Sequence, residues 1–415
     1  MKHRSLIIAY ILLVWFVISF VTNLIGPLMP IIIHDFHLSL GMAGFLPFSF
    51  FLAYGLISIP AGSLVEACGT RVTLLAAFTL NLLGSAAIAL KPEYGFVIGG
   101  LFVIGLGMAM LQVVINPLMR TTGGEPHFAF FSVMGQLVFG FASFISPLVF
   151  ERMMQRPGAA AQTLVWVAFY WVFVAMFIAL VLGTSKLPLP QVELKEDEKG
   201  GGLQTYLDLL KQRDVCLFFL GIVAYVGTEQ TLANWMSEFL STYHRFSPTE
   251  EGAGAVGQFW GLMSVGCLVG LVLLKLFDAR AVLAGFTVLA IACVALALFG
   301  PAGVSLMAFP MAGFFLSVMF SVVFSLGLNS VPQNHGALSG ILCTGILGGA
   351  VVPLLVGTLG DQVGLRMAMT VVFATLGFIL SVSVWARPLI HNETTTLKAL
   401  LGLDKTRSVP RQRTE

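Results

Sequence analysis

Twelve apolar runs, each long enough to cross a bilayer as a helix, dominate the sequence and leave the chain almost no other way to fold. They fall near residues 6–33, 42–66, 71–90, 95–119, 128–150 and 162–185, then 215–243, 252–277, 279–300, 303–328, 336–360 and 365–387. About 20 apolar residues span the roughly 30 Å hydrocarbon layer. Backbone polar groups must satisfy one another there, so each run predicts a helix. A water-facing globule is excluded, because 57% of residues are hydrophobic, only 10% are charged and the mean hydropathy is +0.93.

The runs divide six and six around one long polar stretch, SKLPLPQVELKEDEKGGGLQTYLDLLKQR (185–213), whose charges and Gly run predict a flexible hinge. Its TYLDLLKQR end suits a short interfacial helix. The expected organisation is a first six-helix bundle over 1–185, a central loop over 186–213, a second bundle over 214–388 and a basic tail over 389–415. With both termini in the cytoplasm, 17 of the 22 Lys and Arg lie on that side, leaving Lys91, Arg152, Arg156, Arg245 and Arg366 outside. Positive charge retained inside predicts this orientation. The net charge of +2 gives no reason to expect nucleic-acid binding. Lys2 and Arg4 precede an apolar run too long for a signal peptide, so it is expected to be retained as the first span. The five cysteines (68, 216, 267, 293 and 343) show no CxxC pairing, which predicts reduced thiols without disulfide or metal.

The halves echo each other. GSLVEACGTR (62–71) after span 2 and GLVLLKLFDAR (270–280) after span 8 both order a Gly, an acid and an Arg. Spans 5 and 11 carry a proline before one end (SPLVFERM, VPLLVGTL), and spans 4 and 10 carry an asparagine near a proline (INPLM, LNSVP). Repeated six-span halves predict a pseudo-twofold transporter with its site between them.

GSLVEACGTR resembles the loop 2–3 signature of the major facilitator superfamily, G-x-L-x-D-x-x-G-x-R, with Glu66 and Arg71 in the acidic and basic positions. The resemblance implies that these two latch the cytoplasmic ends of the bundles together when the site faces outward. GLGMAMLQVVINPLMRTTGGEP (105–126) and YVGTEQTLANW (225–235) resemble the span 4 and span 7 signatures of the fucose, galactose and glucose symporters within it. The chain departs from the fucose permease branch at two places where a carboxylate is expected. Gly26 stands near the span 1 position, and Gln112 stands four residues before the Asn-Pro pair of span 4.

Glu229 is the one carboxylate near the middle of a run; Glu66, Glu125, Glu238 and Asp361 fall at ends. An ionised carboxylate there costs several kcal/mol unless it is paired, wetted or neutralised, which suits a group that couples a cation to transport. The bland alternative is a glutamate locked by hydrogen bonds between spans. Gln112 and Asn116 share a face of span 4, as Gln230 and Asn234 do on span 7. Amides both donate and accept, as a neutral polyhydroxylated solute requires, whereas helix-to-helix glue is the competing role. Trp15, Trp235 and Trp260 are candidates to stack on a sugar ring, with interface anchoring as the alternative for Trp260. Asn23, Gln136 and Gln258 complete the expected substrate contacts. His34, Asp35 and His37 cluster beyond span 1, where capping is expected rather than metal binding. Ser317, Ser321 and Ser325 predict close helix packing.

These observations predict an all-α integral membrane protein of twelve helices in two pseudo-symmetric bundles, the major facilitator fold. The expected function is secondary active transport of a neutral, hexose-like sugar across the bacterial inner membrane by alternating access. H⁺ or Na⁺ symport through Glu229 is expected, with no cofactor or covalent chemistry and a monomer in lipid. The rivals are an efflux transporter, disfavoured because GQLVFGFASFISPLVF lacks a Gly-Pro pair, and a transporter-like solute sensor.

Overall fold

The computed structural model describes residues 4–123, 128–155, 165–190, 203–331 and 334–389. Backbone alone is described for Glu66, Asn116 and Gln136; Glu125, residues 191–202 of the central polar stretch and the tail from 390 onward lie outside the described residues. Among the described residues, twelve helices are long and apolar enough to cross a membrane: Arg4–Phe36, Leu40–Ser58, Ala67–Leu90, Tyr94–Ile115, Leu137–Met154, Val167–Lys186, Arg213–His244, Pro248–Leu276, Ala279–Phe299, Ala302–Ser330, Ala337–Val363 and Leu365–Trp385. Each overlaps one expected run, and these are spans 1 to 12. A short amphipathic helix, Leu203–Leu210, precedes span 7, and its Tyr206 packs beside Gly340 of span 11.

Twelve crossings return the chain to the face on which it began, here termed the terminal face; the opposite one is the distal face. Within the first bundle span 1 packs on spans 4 and 5, and within the second span 7 packs on spans 11 and 12. Between the bundles, span 1 meets span 7, span 2 meets span 11 and span 5 meets span 8.

Breaks in the helices have local causes. Span 1 is interrupted between Thr22 and Ile25. Pro27 lacks the N–H that would bond the Asn23 carbonyl, and its ring crowds that carbonyl. Span 11 tightens into a 3₁₀ turn at Gly345–Leu347, a glycine-rich stretch one turn and a half before Pro353. The turn between spans 2 and 3 is made at Gly69, with φ 80° and ψ 166°, a conformation other residues adopt only under strain. The 270–280 stretch, at the place a six-span repeat pairs with this turn, is built differently: Asp278 caps the start of span 9 by accepting from the Arg280 N–H at 2.8 Å. The same backbone angles recur at Gly364, between spans 11 and 12, with φ 82° and ψ 149°.

The polar groups of span 1 are largely committed to holding the first bundle. Asn23 Nδ2 donates to the Ser19 carbonyl at 2.9 Å and to Ser143 Oγ of span 5 at 3.0 Å, while Ser19 and Ser143 hydroxyls lie 2.6 Å apart. Ser146 Oγ donates to the Phe20 carbonyl at 2.7 Å, and Tyr10 joins Thr184 of span 6 at 2.6 Å. At the distal end of span 1, His37 is the C-cap residue, its N–H donating to the His34 carbonyl at 3.4 Å, and Trp166 Nε1 donates to Asp35 at 2.8 Å. Among the described residues no group of His, Cys, Asp and Glu is placed to hold a metal ion.

Candidate functional site

Span 7 runs from Arg213 to His244, and Glu229 lies near its middle, about 24 Å from one end and 22 Å from the other at 1.5 Å per residue. The side chain is half-buried. Its hydrogen-bond partners are neutral: the Tyr225 hydroxyl donates to Oε1 at 2.8 Å and Gln230 Nε2 to Oε2 at 3.4 Å. Asn234 Nδ2 donates in turn to Gln230 Oε1 at 3.4 Å, so one helix carries a polar string of four side chains. Among the described residues no ion pair includes Glu229.

The string borders the seam between the bundles. Gly349 of span 11 faces both Gln230 and Phe51 of span 2 so closely that a methyl group there would lie 3.0 Å from each. Gly26 of span 1 lies against Ala233 and Asn234. The residue standing where a span 1 carboxylate was expected is thus occupied in close helix contact, with space for a glycine alone. On the other flank, the Tyr225 ring is 5.8 Å from Phe320 of span 10, and the Cys267 thiol of span 8 is within electrostatic reach of Glu229.

Trp260 and Cys267 are seven residues apart on span 8, two turns on one face, so Trp260 sits about 10 Å distal to the level of Cys267. It is 5% exposed, and its ring meets Phe259 edge-on at 5.3 Å. Its indole N–H finds no hydrogen-bond partner among the described residues. A buried donor of this kind is costly unless something accepts from it, so Trp260 offers a free donor to a ligand.

Two expected contacts are placed away from the string. Trp235 is 0% exposed, and its Nε1 donates to the Pro353 carbonyl of span 11 at 3.1 Å. It is a packing residue inside the second bundle, its polar tip already satisfied. Gln258 is exposed and nine residues from Cys267, hence on the opposite face of span 8, which it shares with the exposed Val265. It points away from Glu229.

The other expected residues are distributed around the string. Gln112 is half-buried on span 4, two turns past Gly105, whose backbone packs on Phe50 of span 2. Asn23 is 4% exposed and bonded to span 5 as described. Trp15 is likewise packed, edge-on to Phe139 at 5.9 Å. The side chains of Asn116 and Gln136 lie outside the described residues, as does that of Glu66. Its expected partner Arg71 donates to the Leu187 carbonyl at the end of span 6. Of the serine stripe on span 10, Ser317 donates to the Phe314 carbonyl at 2.7 Å as back-bonding predicts, whereas Ser321 and Ser325 are exposed and not packed.

Paired six-span bundles with a polar string at their seam are an arrangement for moving a solute, and sequence comparison agrees. The profile of the Major Facilitator Superfamily matches residues 11–346. The chain belongs to that superfamily. It is a membrane transporter and not an enzyme, as are the proteins it is similar to. It is 29% identical over 381 residues to the glucose/galactose transporter of Brucella abortus, covering 88% of this chain and 90% of that one. It is 25% identical to the L-fucose-proton symporter of Escherichia coli, over 88% and 89% of the two chains. Among solved structures, the E. coli fucose:proton symporter superposes with a TM-score of 0.66 at 21% identity, covering 92% of this chain and 99% of that one. A bacterial homologue of the human lysosomal transporter Spinster, inward-facing and unoccupied, reaches 0.73 at 15% identity over 92% and 97%.

Proposed function

We propose that this protein is a sugar transporter that couples uptake of a neutral hexose-like solute to entry of H⁺ or Na⁺, with Glu229 as the coupling carboxylate. The observation that carries the proposal is the string Tyr225–Glu229–Gln230–Asn234, a carboxylate at mid-span among neutral partners, beside the seam between the bundles. A fixed cation beside Glu229 would neutralise it permanently; neutral donors leave that role to a proton or Na⁺ that arrives and leaves. Gln230, Asn234, Gln112, Asn116 and the unpartnered Trp260 N–H are the proposed contacts for substrate hydroxyls, with Asn23 and Gln136 lining the first-bundle side. Amide and indole groups suit an uncharged polyol, and the names of the relatives agree with that substrate class.

Transport proceeds by rocking residues 1–185 against 214–388, with 186–213 as the hinge between them. The terminal face is cytoplasmic, which places the basic tail from 389 onward inside and makes the distal face periplasmic in a bacterial inner membrane. Glu66 and Arg71 act as the latch on the cytoplasmic face, and the chain works as a monomer. The test is uptake of labelled hexoses into proteoliposomes under a ΔpH and, separately, a Na⁺ gradient. Wild type should concentrate a sugar under one gradient. Glu229→Gln should keep exchange of labelled for unlabelled sugar and lose accumulation. Equal accumulation by both proteins would remove Glu229 from coupling, and absence of any sugar movement would refute the substrate class.

A further inference from the structure

The chain contains the pattern G-x-L-x-[D/E]-x-x-G-x-R twice, and the second copy lies on the opposite face from the first. GSLVEACGTR (62–71) joins spans 2 and 3 at the terminal face; GTLGDQVGLR (357–366) joins spans 11 and 12 at the distal face. All five fixed positions match: Gly62 with Gly357, Leu64 with Leu359, Glu66 with Asp361, Gly69 with Gly364 and Arg71 with Arg366. The backbone matches as well, since both turns are made by a glycine with φ near 80°.

In the second copy the acid reaches across to the other bundle. Asp361 Oδ1 accepts from the Leu40 N–H at 2.7 Å and Oδ2 from the Gly41 N–H at 2.8 Å. These are the first two amides of span 2, and Ser39 Oγ satisfies the third, that of Met42, at 3.2 Å. The first amides of a helix have no partner within it and carry the positive end of its dipole, so a carboxylate there makes charge-assisted bonds. The contact surface beneath is shaped for close approach. A methyl group on Gly41 would lie 2.7 Å from Asp361 Oδ2, and one on Gly357 would lie 2.4 Å from the Leu40 carbonyl. Further in, Gly44 meets Leu354.

The arginine of the copy holds its own side rigid. The Arg366 N–H donates to the Tyr243 hydroxyl at 3.0 Å, and the guanidinium lies over the Tyr243 ring at 4.4 Å and the Phe239 ring at 5.6 Å, both on span 7. Asp361 is therefore presented from the last turn of span 11, beside a turn braced on span 7, to a helix end of the first bundle.

We propose that residues 357–366 form a distal latch, in which Asp361 closes the distal face by capping span 2 and must release it each time that face opens. The latch favours the conformation described here, and the sugar reading plays no part in it. The test is the labelling rate of a single cysteine, Leu354→Cys, by a charged maleimide, in the full chain with its native cysteines replaced by serine and held in lipid nanodiscs. Labelling requires separation of spans 2 and 11, so its rate follows the open population even when that population is small. Asp361→Ala should raise the rate about fivefold, the size expected for losing a carboxylate at a helix N-terminus. Gly41→Ala, which keeps the acid but displaces it, should raise the rate in the same direction, and it decides the matter if the first variant does not fold. Rates unchanged in the folded variants would overturn the latch.

Discussion

The two bundles spend their buried polar groups differently. In the first, Ser19, Asn23, Ser143 and Ser146 bond to one another and to backbone, and the bonds run from span 1 to span 5. In the second, Thr228 with Thr375 and Trp235 with the Pro353 carbonyl also join helices, but the mid-span string Tyr225, Glu229, Gln230 and Asn234 bonds along a single helix, and among the described residues nearby Trp260 keeps a donor without a partner. Groups bonded between helices fix a bundle as a rigid body; groups bonded along one helix leave it free to answer a ligand. The contrast suggests that the first bundle acts mainly as a frame and the second carries the ionic event.

That contrast can be broken at several points. The largest effect should come from Glu229→Gln, with accumulation lost as described above. Trp260→Phe keeps the ring and removes the N–H, so sugar affinity in counterflow should fall about 2- to 12-fold, the range for one hydrogen bond worth about 0.5–1.5 kcal/mol. Ser143→Ala should lower thermal stability by about 0.6 kcal/mol and leave affinity unchanged, since it removes interhelical glue alone. An affinity loss there would show that the Ser143 bond positions Asn23 for the substrate and blur the distinction. Gln258→Leu should change neither, because that face of span 8 is turned away from Glu229; a transport defect would show the assignment of faces to be wrong.

Which of these features a reader of the sequence finds depends on the length scale of the signal. The twelve spans are legible because hydropathy is summed over some 20 residues, and Glu229 at mid-span follows from counting along one run. The roles of Trp235 and Gln258 are not legible in this way. Whether an aromatic ring or an amide faces a neighbouring helix, lipid or the seam is decided by how helices pack against one another, and an apolar run on every side of a span carries no phase to reveal it. Trp235 resembles a stacking residue in sequence, yet its partner is a carbonyl 118 positions away. The second copy of the turn signature is a different case. Its spacing is printed in GTLGDQVGLR, but the looser echo at 270–280 sits where a repeat of six spans places it and draws attention first.

The partner of Asp361 is main chain, and that has a consequence for mutational tolerance. A scan of every residue at position 40 would leave the N–H that faces Oδ1 in place, with proline the single substitution able to delete it. Position 41 would be restricted by bulk and not by chemistry, because any side chain intrudes on Oδ2. Sequences under selection could then tune the chemistry of this contact only by changing the acid, while the amides opposite it answer to bulk at position 41 or a proline at position 40 and to nothing else.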